Sequence, residues 1–135
     1  MSSVTLHGAP GLYPDPPYAY SAHASAPRAL LFTAGACPLD ADGEVVAPGD
    51  VRSQAAQVMA NLSAALTAAG SGLGDVVKST VYVATSDRAT LVAAWDVVRA
   101  AFGDHAAPST LLGVAVLGWP GQLVEVEAVA ALTVA

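Results

Sequence analysis

The chain has 135 residues, with five Lys plus Arg against eleven Asp plus Glu, so its formal charge is −6 with neutral His. This length fits one domain of the common size, about 100 to 150 residues, and a hydrophobic fraction of 54% excludes intrinsic disorder. Lys78 and four scattered arginines form no basic cluster, which argues against nucleic-acid binding and against docking on anionic lipid.

The expected cellular location rests on three features: the apolar segments, the first residues and the cysteine count. Its apolar segments are interrupted by charge, Gly or Pro well before the roughly 20 residues that span a bilayer. Residues 1–11, MSSVTLHGAPG, do not have the basic start and continuous apolar stretch of a secretory leader. The single cysteine, Cys37, allows no internal disulfide. We therefore expect one soluble domain over residues 1–135, located in the cytoplasm and without a membrane partner.

The N-terminal third is predicted to hold a loop and then a hairpin. Residues 8–17, GAPGLYPDPP, contain prolines that cannot donate to a sheet, so this segment is expected to be an extended surface loop, with strand pairing starting after it. Residues 29–34, ALLFTA, are predicted to form a strand that ends at Gly35. The tract at 40–43, DADG, has the side chains of a turn before Glu44, which favours a hairpin-like start.

Two amphipathic helices are predicted from apolar spacings of three and four residues. The first has Asp50 as its candidate N-cap and Gly70 as its stop. Its solvent side carries Arg52, Ser53, Gln57 and Asn61, and its buried stripe is Val51, Ala55, Val58, Met59, Leu62 and Leu66. The second is capped by Ser86 or Asp87 and ends at Gly103. Its buried stripe is Leu91, Ala94, Trp95, Val98 and Phe102.

Three further strands complete the predicted element order. Residues 75–83, DVVKSTVYV, are rich in β-branched side chains and are predicted to form a central strand. Residues 110–116 and 123–131 are two more strands, joined by the loop LGWPGQ at 117–122. The order is β-β-α-β-α-β-β. Because each helix has one apolar stripe, we expect an α+β fold with both helices on one face of the sheet.

The last strand shows which face stays uncovered. With a two-residue period, Val124, Val126, Ala128 and Ala130 face the helices, and Glu125, Glu127, Val129 and Ala131 face the other way. Carboxylates mixed with small apolar residues suit a subunit interface with a polar pocket. The pattern therefore predicts a homo-oligomer.

A few residues are candidates for catalysis or ligand binding. Glu125 and Glu127 lie on one strand face with Cα atoms about 6 to 7 Å apart, so either can serve as a general acid or base; the alternative is a solvated structural pair. Ser109 and Thr110 can hold a ligand carbonyl or carboxylate, or can satisfy a turn through their own backbone. Although His105 lies nearby, nothing resembles a nucleophile elbow, so no Ser-His-acid triad is assigned.

No metal and no cofactor are expected. His7, His23 and His105 lack metal-ligand spacing and are interpreted as surface or hydrogen-bonded histidines. Cys37 is interpreted as a small buried hydrophobe, because the local sequence has no positive charge to make its thiolate reactive. The glycine-containing stretch at 68–75 lacks the lysine of a phosphate loop and follows a helix, so it is not a nucleotide site.

Several segments together resemble the RidA (YjgF) family of small enamine/imine deaminases. They are YSAHA at 20–24, LLFTAGACPLDADGEVV at 30–46, GDVRSQAAQVMANLSAAL at 49–66, GLGDVVKSTVYV at 72–83, AFGDH at 101–105 and LVEVEAVA at 123–130. They cover nearly the whole chain in order. The resemblance implies a chorismate-mutase-like (YjgF-like) fold with a mixed sheet, assembled as a homotrimer with pockets in the clefts between subunits.

The resemblance also implies site residues. Deaminating members have a glutamate in the last strand that positions the attacking water, and Glu125 matches it. Their substrate-binding arginine falls on Ser109, which offers one neutral hydrogen bond where arginine offers a charged, two-pronged grip. The family glutamine after the glycine is replaced by Ala36, whereas Gly35 keeps its N–H. Trp95 stands where many members have asparagine.

We therefore expect a homotrimer that acts on or binds a small carbonyl, imine or enamine metabolite. Because Ser109 replaces the arginine, a standard 2-iminoacid deaminase is not expected. Glu125 would orient water, and Ser109 and Thr110 would hold a ligand oxygen together with the Gly35 N–H. Tyr20 would form a wall of the pocket, which Ala36 and Trp95 also line. The alternatives are a non-catalytic metabolite-binding or regulatory trimer, and ordinary imine deamination with another residue in place of the arginine. Acidic charge disfavours a nuclease.

Overall fold

The computed structural model describes residues 3–132. Within this range the elements are β1 Val4–His7, β2 Ser21–Ala24, β3 Ala29–Phe32, α1 Val51–Ala68, a 3-10 turn at Leu73–Asp75, β4 Val76–Ala84, α2 Arg88–Phe102, β5 Ser109–Val114 and β6 Val124–Leu132. Residues 1–2 and 133–135 lie outside the described residues. They belong to the predicted domain over 1–135, and residues 1–2 also belong to the 1–11 segment that lacks the pattern of a secretory leader. The single domain therefore stays a prediction.

The main sheet has four strands in the order β3-β6-β4-β5. Strand β6 is antiparallel to both of its neighbours, and β4 and β5 run parallel. The sheet is therefore mixed, because helix α2 carries the chain from the end of β4 back to the start of β5, as a parallel pair requires. With two helices on this sheet, the predicted α+β class is confirmed.

Strand pairing starts earlier than predicted. Strands β1 and β2 form a separate antiparallel pair, with Val4 opposite Ala24 and His7 opposite Ser21. The proline-rich residues 8–17 belong to the connection between them. The prediction that pairing begins after this loop was wrong, because a four-residue strand is too short to show a clear two-residue period.

The predicted hairpin after residue 29 is also corrected. Strand β3 pairs with β6, with Phe32 opposite Val129, and the 39–45 segment contributes only an isolated bridge between Leu39 and Val45. The turn itself is present, since the Asp40 carboxylate accepts hydrogen bonds from the N–H groups of Asp42 and Glu44 at 2.9 and 3.0 Å. Local side chains stabilise the turn, whereas β3 pairs with β6, a strand that is distant in the sequence.

Both helix caps match the sequence prediction. The Asp50 side chain accepts from the Ser53 N–H at 3.1 Å, and Asp87, one of two candidates, accepts from the Thr90 N–H at 3.1 Å. The hydrogen bonds from Ser53 hold the pKa of Asp50 below its ordinary value, and those from Thr90 do the same for Asp87. Helix α2 ends at Gly103, whose φ is 61°.

The core lies between the two helices and one sheet face. Val124, Val126 and Ala130 are fully buried, and Ala128 is 4% exposed, so the predicted helix-facing set of β6 is confirmed. On β4, Ser79, Val81 and Val83 share this face and are also fully buried. Helix α1 contributes Ala55, Val58, Met59, Leu62 and Leu66, as predicted.

Two amide side chains of α1 position the loops that surround the site. Gln54 is fully buried, donates to the Gly121 carbonyl at 3.1 Å, and accepts from the Leu123 N–H at 2.8 Å. Asn61, predicted on the solvent side, instead donates to the carbonyls of Cys37 and Leu39 at 2.8 and 2.9 Å. Helix α1 thereby holds both the segment that follows β3 and the segment that leads into β6.

The other face of the sheet carries exposed apolar side chains. Leu30 and Phe32 of β3 are 52% and 70% exposed, and Leu112 of β5 is 43% exposed. Glu125, Glu127, Tyr82 and Val129 share this face, which we call the open face. Among the described residues, no helix has both the length and the apolar character to cross a membrane.

Candidate functional site

Glu125 lies on the open face of β6, opposite Tyr82 of β4. Its Oε1 atom accepts two hydrogen bonds, from Gln122 Nε2 at 3.1 Å and from Cys37 Sγ at 3.3 Å. Both donors approach the same oxygen, so Oε2 is left to face other groups. Within residues 3–132, no donor contacts Oε2, so the carboxylate is held through one oxygen.

Gln122 is a buried support for this carboxylate, with 4% of its surface exposed. Its Nε2 also donates to the Val124 carbonyl at 3.1 Å, and its Oε1 accepts from the Trp119 N–H at 3.1 Å. Because all of its polar atoms are engaged, the amide cannot turn without breaking hydrogen bonds. No sequence pattern identified this residue, which lies in the loop before β6.

Gly35 packs directly against the Glu125 side chain. A Cβ atom at residue 35 would overlap the Glu125 carboxylate, so this close approach requires glycine. The next residue, Ala36, forms a bridge with Val126, with its N–H donating to the Val126 carbonyl at 2.7 Å. The structure thus brings together Gly35, Ala36 and Glu125, three of the residues proposed from the sequence.

Cys37 differs from its predicted role as a small buried hydrophobe. The thiol is half-buried and donates to Glu125, and it lines a cavity of about 420 Å³ together with Phe32, Gly35, Ala36 and Asn61. Burial, followed by the hydrogen bond with Glu125, raises the pKa of the Cys37 thiol. The group therefore remains a protonated donor at neutral pH, in accord with the expectation that it is not a reactive thiolate.

Glu127 has a different environment from Glu125. The Tyr82 hydroxyl donates to Glu127 Oε1, and this hydrogen bond, followed by burial, raises the pKa of Tyr82. The two carboxylates share a strand face as predicted. Glu127 is hydrogen-bonded to a phenol, and Glu125 is hydrogen-bonded to an amide and a thiol.

Ser109 lies on the opposite face of the sheet, under helix α2. Its neighbour in register is Ser79, which is fully buried, and the two hydroxyls are hydrogen-bonded. Ser109 Oγ also lies 3.0 Å from the Ala107 carbonyl. The single hydroxyl hydrogen of Ser109 therefore points to an acceptor within the chain, either Ala107 or Ser79.

A cavity of about 450 Å³ adjoins Ser109 at the edge of the sheet. Its lining residues are Pro17, Tyr18, Trp95, Ser109, Thr110 and Leu111. A smaller cavity of about 120 Å³ shares Pro17, Trp95 and Ser109 and adds Arg99 of helix α2. Ser109, Thr110 and Trp95 are thus brought together, and Arg99 is a further cavity residue that the sequence analysis did not identify.

Thr110 and Tyr20 have partners outside this cavity. The Thr110 hydroxyl accepts from Lys78 Nζ at 2.6 Å, and Lys78 is adjacent on β4. The Tyr20 hydroxyl donates to the Tyr13 carbonyl at 2.8 Å, and its ring lies 6.0 Å from that of Tyr18 in a T-shaped arrangement. Tyr18, which lines both the Ser109 cavity and a cavity with Tyr20, connects the two.

The proposed site residues form two groups that do not meet in one copy of the chain. Glu125 and Gly35 lie at the open face, whereas Ser109 and Trp95 lie at the helix-covered face. Strand β4 separates β6 from β5, so the backbone of the sheet stands between the groups. A site that uses both groups needs a second copy.

The histidines lie outside both groups. A ring nitrogen of His105 is hydrogen-bonded to the Val76 carbonyl at 2.8 Å, and His7 and His23 contact each other at 3.0 Å between ring nitrogens. Each was expected to be a surface or hydrogen-bonded histidine. Within residues 3–132, no group of three or more His, Cys, Asp or Glu side chains is placed to hold a metal ion.

Comparison with known proteins gives consistent matches. The family model described as endoribonuclease L-PSP matches residues 12–132. A RutC family protein of Pyrococcus horikoshii is 44% identical over 54 residues, which are 40% of this chain and 43% of that protein. The 2-iminobutanoate/2-iminopropanoate deaminase of Escherichia coli K12 is 40% identical over 78 residues, covering 56% of this chain and 57% of the enzyme. The matched segments thus span about half the length of these curated relatives.

Solved structures match over almost the whole chain. A protein of unknown function of the conserved Rid family from Yersinia pestis superposes with a TM-score of 0.89 at 31% identity, covering 96% of this chain and 99% of that one. RidA from an Antarctic Psychrobacter shares the fold, with a TM-score of 0.68 at 23% identity. The family-model match over residues 12–132 and the Rid-family structure show that this chain belongs to the RidA/YjgF family.

Proposed function

We propose that the chain forms a homotrimer that hydrolyses the C=N bond of a small imine, or of its enamine tautomer, in clefts between its copies. The reaction releases ammonia and a carbonyl compound. Glu125 is the catalytic residue, and Ser109, Thr110, Trp95, Tyr20, Gly35 and Ala36 shape the ligand pocket. The observation that carries this proposal is the Glu125 carboxylate itself, fixed through one oxygen, with no hydrogen-bond donor on the other within residues 3–132.

The chemistry needs a base that first takes a proton and then returns it. Glu125 removes a proton from water and passes it to the imine nitrogen, while the hydroxide oxygen bonds to the imine carbon and the C=N π electrons move to nitrogen. In the resulting carbinolamine, the carboxylate takes the O–H proton and passes it to the amine nitrogen, so that the C–N bond breaks and ammonia leaves. Water and imine are thereby converted to carbonyl and ammonia, and the carboxylate is restored.

The placement of the two groups supports a site shared between copies. Glu125 and Ser109 lie on opposite faces of one sheet, so they converge only if the open face of one copy meets the edge of another. Leu30, Phe32 and Leu112 leave an apolar surface beside Glu125 that such a contact would bury. Closed rotational symmetry is the usual way in which identical chains repeat one such contact.

The deaminase-named relative supports the imine class of substrate. The name of the Escherichia coli relative specifies 2-iminobutanoate and 2-iminopropanoate. In this chain Ser109 replaces the arginine of such enzymes, and its hydroxyl hydrogen is already directed to an acceptor within the chain. Ligand binding at this position therefore differs from that in arginine-containing members.

Turnover by Glu125→Gln and Glu127→Gln variants tests the proposal. An imine is generated in situ from an amino acid by a dehydratase, and release of the keto acid is followed with and without the chain. We expect the Glu125→Gln chain to lose about 100-fold or more in rate, because the general base is removed. The matched variant Glu127→Gln, which loses a carboxylate bound to Tyr82, keeps most of the rate. Equal rates for wild type and Glu125→Gln would refute the assignment, and ligand-induced thermal stabilisation without turnover would favour the binding-protein alternative.

A further inference from the structure

Arg99 occupies the last turn of helix α2, four residues after Trp95. Residues four apart lie on the same side of a helix, so Arg99 and Trp95 face the same way. Both line the cavity of about 120 Å³ that also includes Ser109 and Pro17. The arginine that the family motif would place on β5 is absent, but another arginine, Arg99 of α2, lines this cavity.

This guanidinium has no partner within residues 3–132. Asp96, three residues before Arg99, would be its natural partner along the helix, but Asp96 lies 4.0 Å from Arg52 of α1 instead. Arg99 is exposed, and no hydrogen bond or ion pair joins it to another described residue. Its five N–H donors are therefore available to a ligand.

The other polar groups of the cavity cannot bind an anion as well. Ser109 directs its single hydroxyl hydrogen to Ala107 or to Ser79, so it offers only lone pairs to the cavity. Trp95 and Pro17 contribute mainly apolar surface. Arg99 is thus the group on this side that supplies both a positive charge and two parallel donors, the arrangement that suits a carboxylate.

We propose that Arg99 is the anion-binding residue of the cavity of about 120 Å³ beside Ser109 and selects ligands that carry a carboxylate next to the carbonyl or imine carbon. This inference rests on the proposed function in that it places the small carbonyl or imine ligand in this cavity. Arg99 takes the carboxylate of the ligand, and the reacting carbon points away from α2 toward the Glu125 of a neighbouring copy. The specificity of the site then comes from the helix and not from β5.

A structural role for Arg99 makes a different prediction. A cation in the last turn of a helix interacts favourably with the helix dipole, which affects stability and does not distinguish one ligand from another. The discriminating measurement is therefore a comparison of two ligands that differ in charge. Pyruvate and pyruvamide have the same shape and number of heavy atoms, and only pyruvate is an anion.

Calorimetric titration of the full-length protein with pyruvate and pyruvamide tests the inference. Wild type is expected to bind pyruvate more tightly than pyruvamide. Arg99→Gln should weaken pyruvate binding by about tenfold or more, the usual effect of losing a charged hydrogen bond, and should leave pyruvamide binding within about twofold of wild type. Arg99→Lys keeps the charge and should recover part of the loss. The matched control is Arg88→Gln, because Arg88 is exposed at the other end of α2 and outside the cavity.

The inference is overturned by either of two results. One is that wild type does not bind pyruvate, and the other is that Arg99→Gln weakens pyruvate and pyruvamide equally. Circular dichroism and solution mass of each variant establish that it is folded and assembled. The Glu125→Gln variant distinguishes a failure of the proposed catalytic function from a failure of the proposed anion site. If it turns over imines normally but still binds pyruvate through Arg99, the catalytic assignment fails and the anion site stands.

Discussion

Gln122 and Cys37 donate to the same carboxylate oxygen of Glu125, at 3.1 and 3.3 Å. The amide is buried and the thiol is half-buried, so neither contact is an exposed surface contact. Oε2 stays without a donor from either of these two side chains, and it lies over Gly35. The proposed general base therefore has one oxygen anchored by two donors and one oxygen that neither of them contacts.

Replacing Gln122 with leucine should lower turnover without removing the base. Leucine keeps the buried volume but cannot donate to Glu125, so the carboxylate gains freedom to turn. We expect kcat to fall about tenfold, because misplacement of a catalytic group by about 1 Å reduces rates by one to two orders of magnitude. The measurement is steady-state kinetics of imine hydrolysis.

The same variant must be separated from a simple loss of stability. Leucine also leaves the Trp119 N–H without its acceptor, so the unfolding temperature will fall. Rates are therefore compared at a temperature where both chains are fully folded. If kcat is unchanged under these conditions, Gln122 has a structural role alone.

Alanine at position 35 should disable the site while the fold survives. Its Cβ would overlap the Glu125 carboxylate, which must move aside. Gly74 is the matched control, because a Cβ there meets no atom within 4 Å. We expect Gly35→Ala to reduce turnover at least about tenfold and Gly74→Ala to stay within about twofold of wild type. Full activity of Gly35→Ala would contradict the proposed position of the carboxylate.

The pH dependence of Cys37 alkylation reports on its contact with Glu125. Burial and the Glu125 hydrogen bond raise the pKa of the thiol, so less thiolate is present at a given pH than for a free cysteine. Alkylation by iodoacetamide at about pH 9 should therefore be at least about threefold slower than for a cysteine peptide. Rates followed by mass spectrometry give the apparent pKa.

Removal of the carboxylate charge should reverse part of this effect. Glu125→Gln eliminates the charge that disfavours the thiolate, so the thiol pKa moves down and alkylation at about pH 9 becomes faster. Burial remains in this variant, and the rate is expected to stay below that of the peptide. A slower rate in Glu125→Gln than in wild type would contradict the contact.

A charge on the open face should prevent assembly. Phe32 is 70% exposed in a single copy, so glutamate at this position costs the isolated fold little but would be buried in the contact between copies. Sedimentation of wild type is expected to give about 40 kDa, three times 13.4 kDa. Phe32→Glu should sediment at the mass of one chain.

Val92 offers a matched control for this variant. It is 44% exposed on helix α2, and Val92→Glu should leave the trimer mass unchanged. A wild-type chain of one-copy mass would contradict the trimer. A Phe32→Glu chain that still forms trimers would place the contact elsewhere.

Most of the fold could be predicted from local patterns. Helix caps at Asp50 and Asp87 need only side chains three residues apart, and the two-residue period placed Glu125 on the open face. The partners of the first strands could not be predicted in this way. Strand β3 pairs with residues near 130, and such pairing depends on the whole sheet.

The candidate site was predicted in part. The family resemblance named Gly35, Ala36 and Glu125 as site residues, and the structure places them together, but it separates Gly35 from Ser109, and the donors to Glu125 were not identified. Cys37 reaches Glu125 across 88 positions of sequence, and Gln122 reaches it through a loop whose shape is held by Gln54. Arg99 was missed because only the packing of α2 against the edge of the sheet brings it near Ser109.

The most direct test of the shared site is subunit complementation. Ser109→Leu fills the cavity beside Ser109, and Glu125→Gln removes the proposed general base. Each variant alone should therefore be inactive. The two chains are co-expressed with different tags, and mixed oligomers are isolated. If a cleft takes Ser109 from one copy and Glu125 from another, every mixed trimer has one intact cleft of three, and the isolated mixed trimers should show about a third of wild-type turnover. No activity above that of the separate variants would contradict a site built between copies.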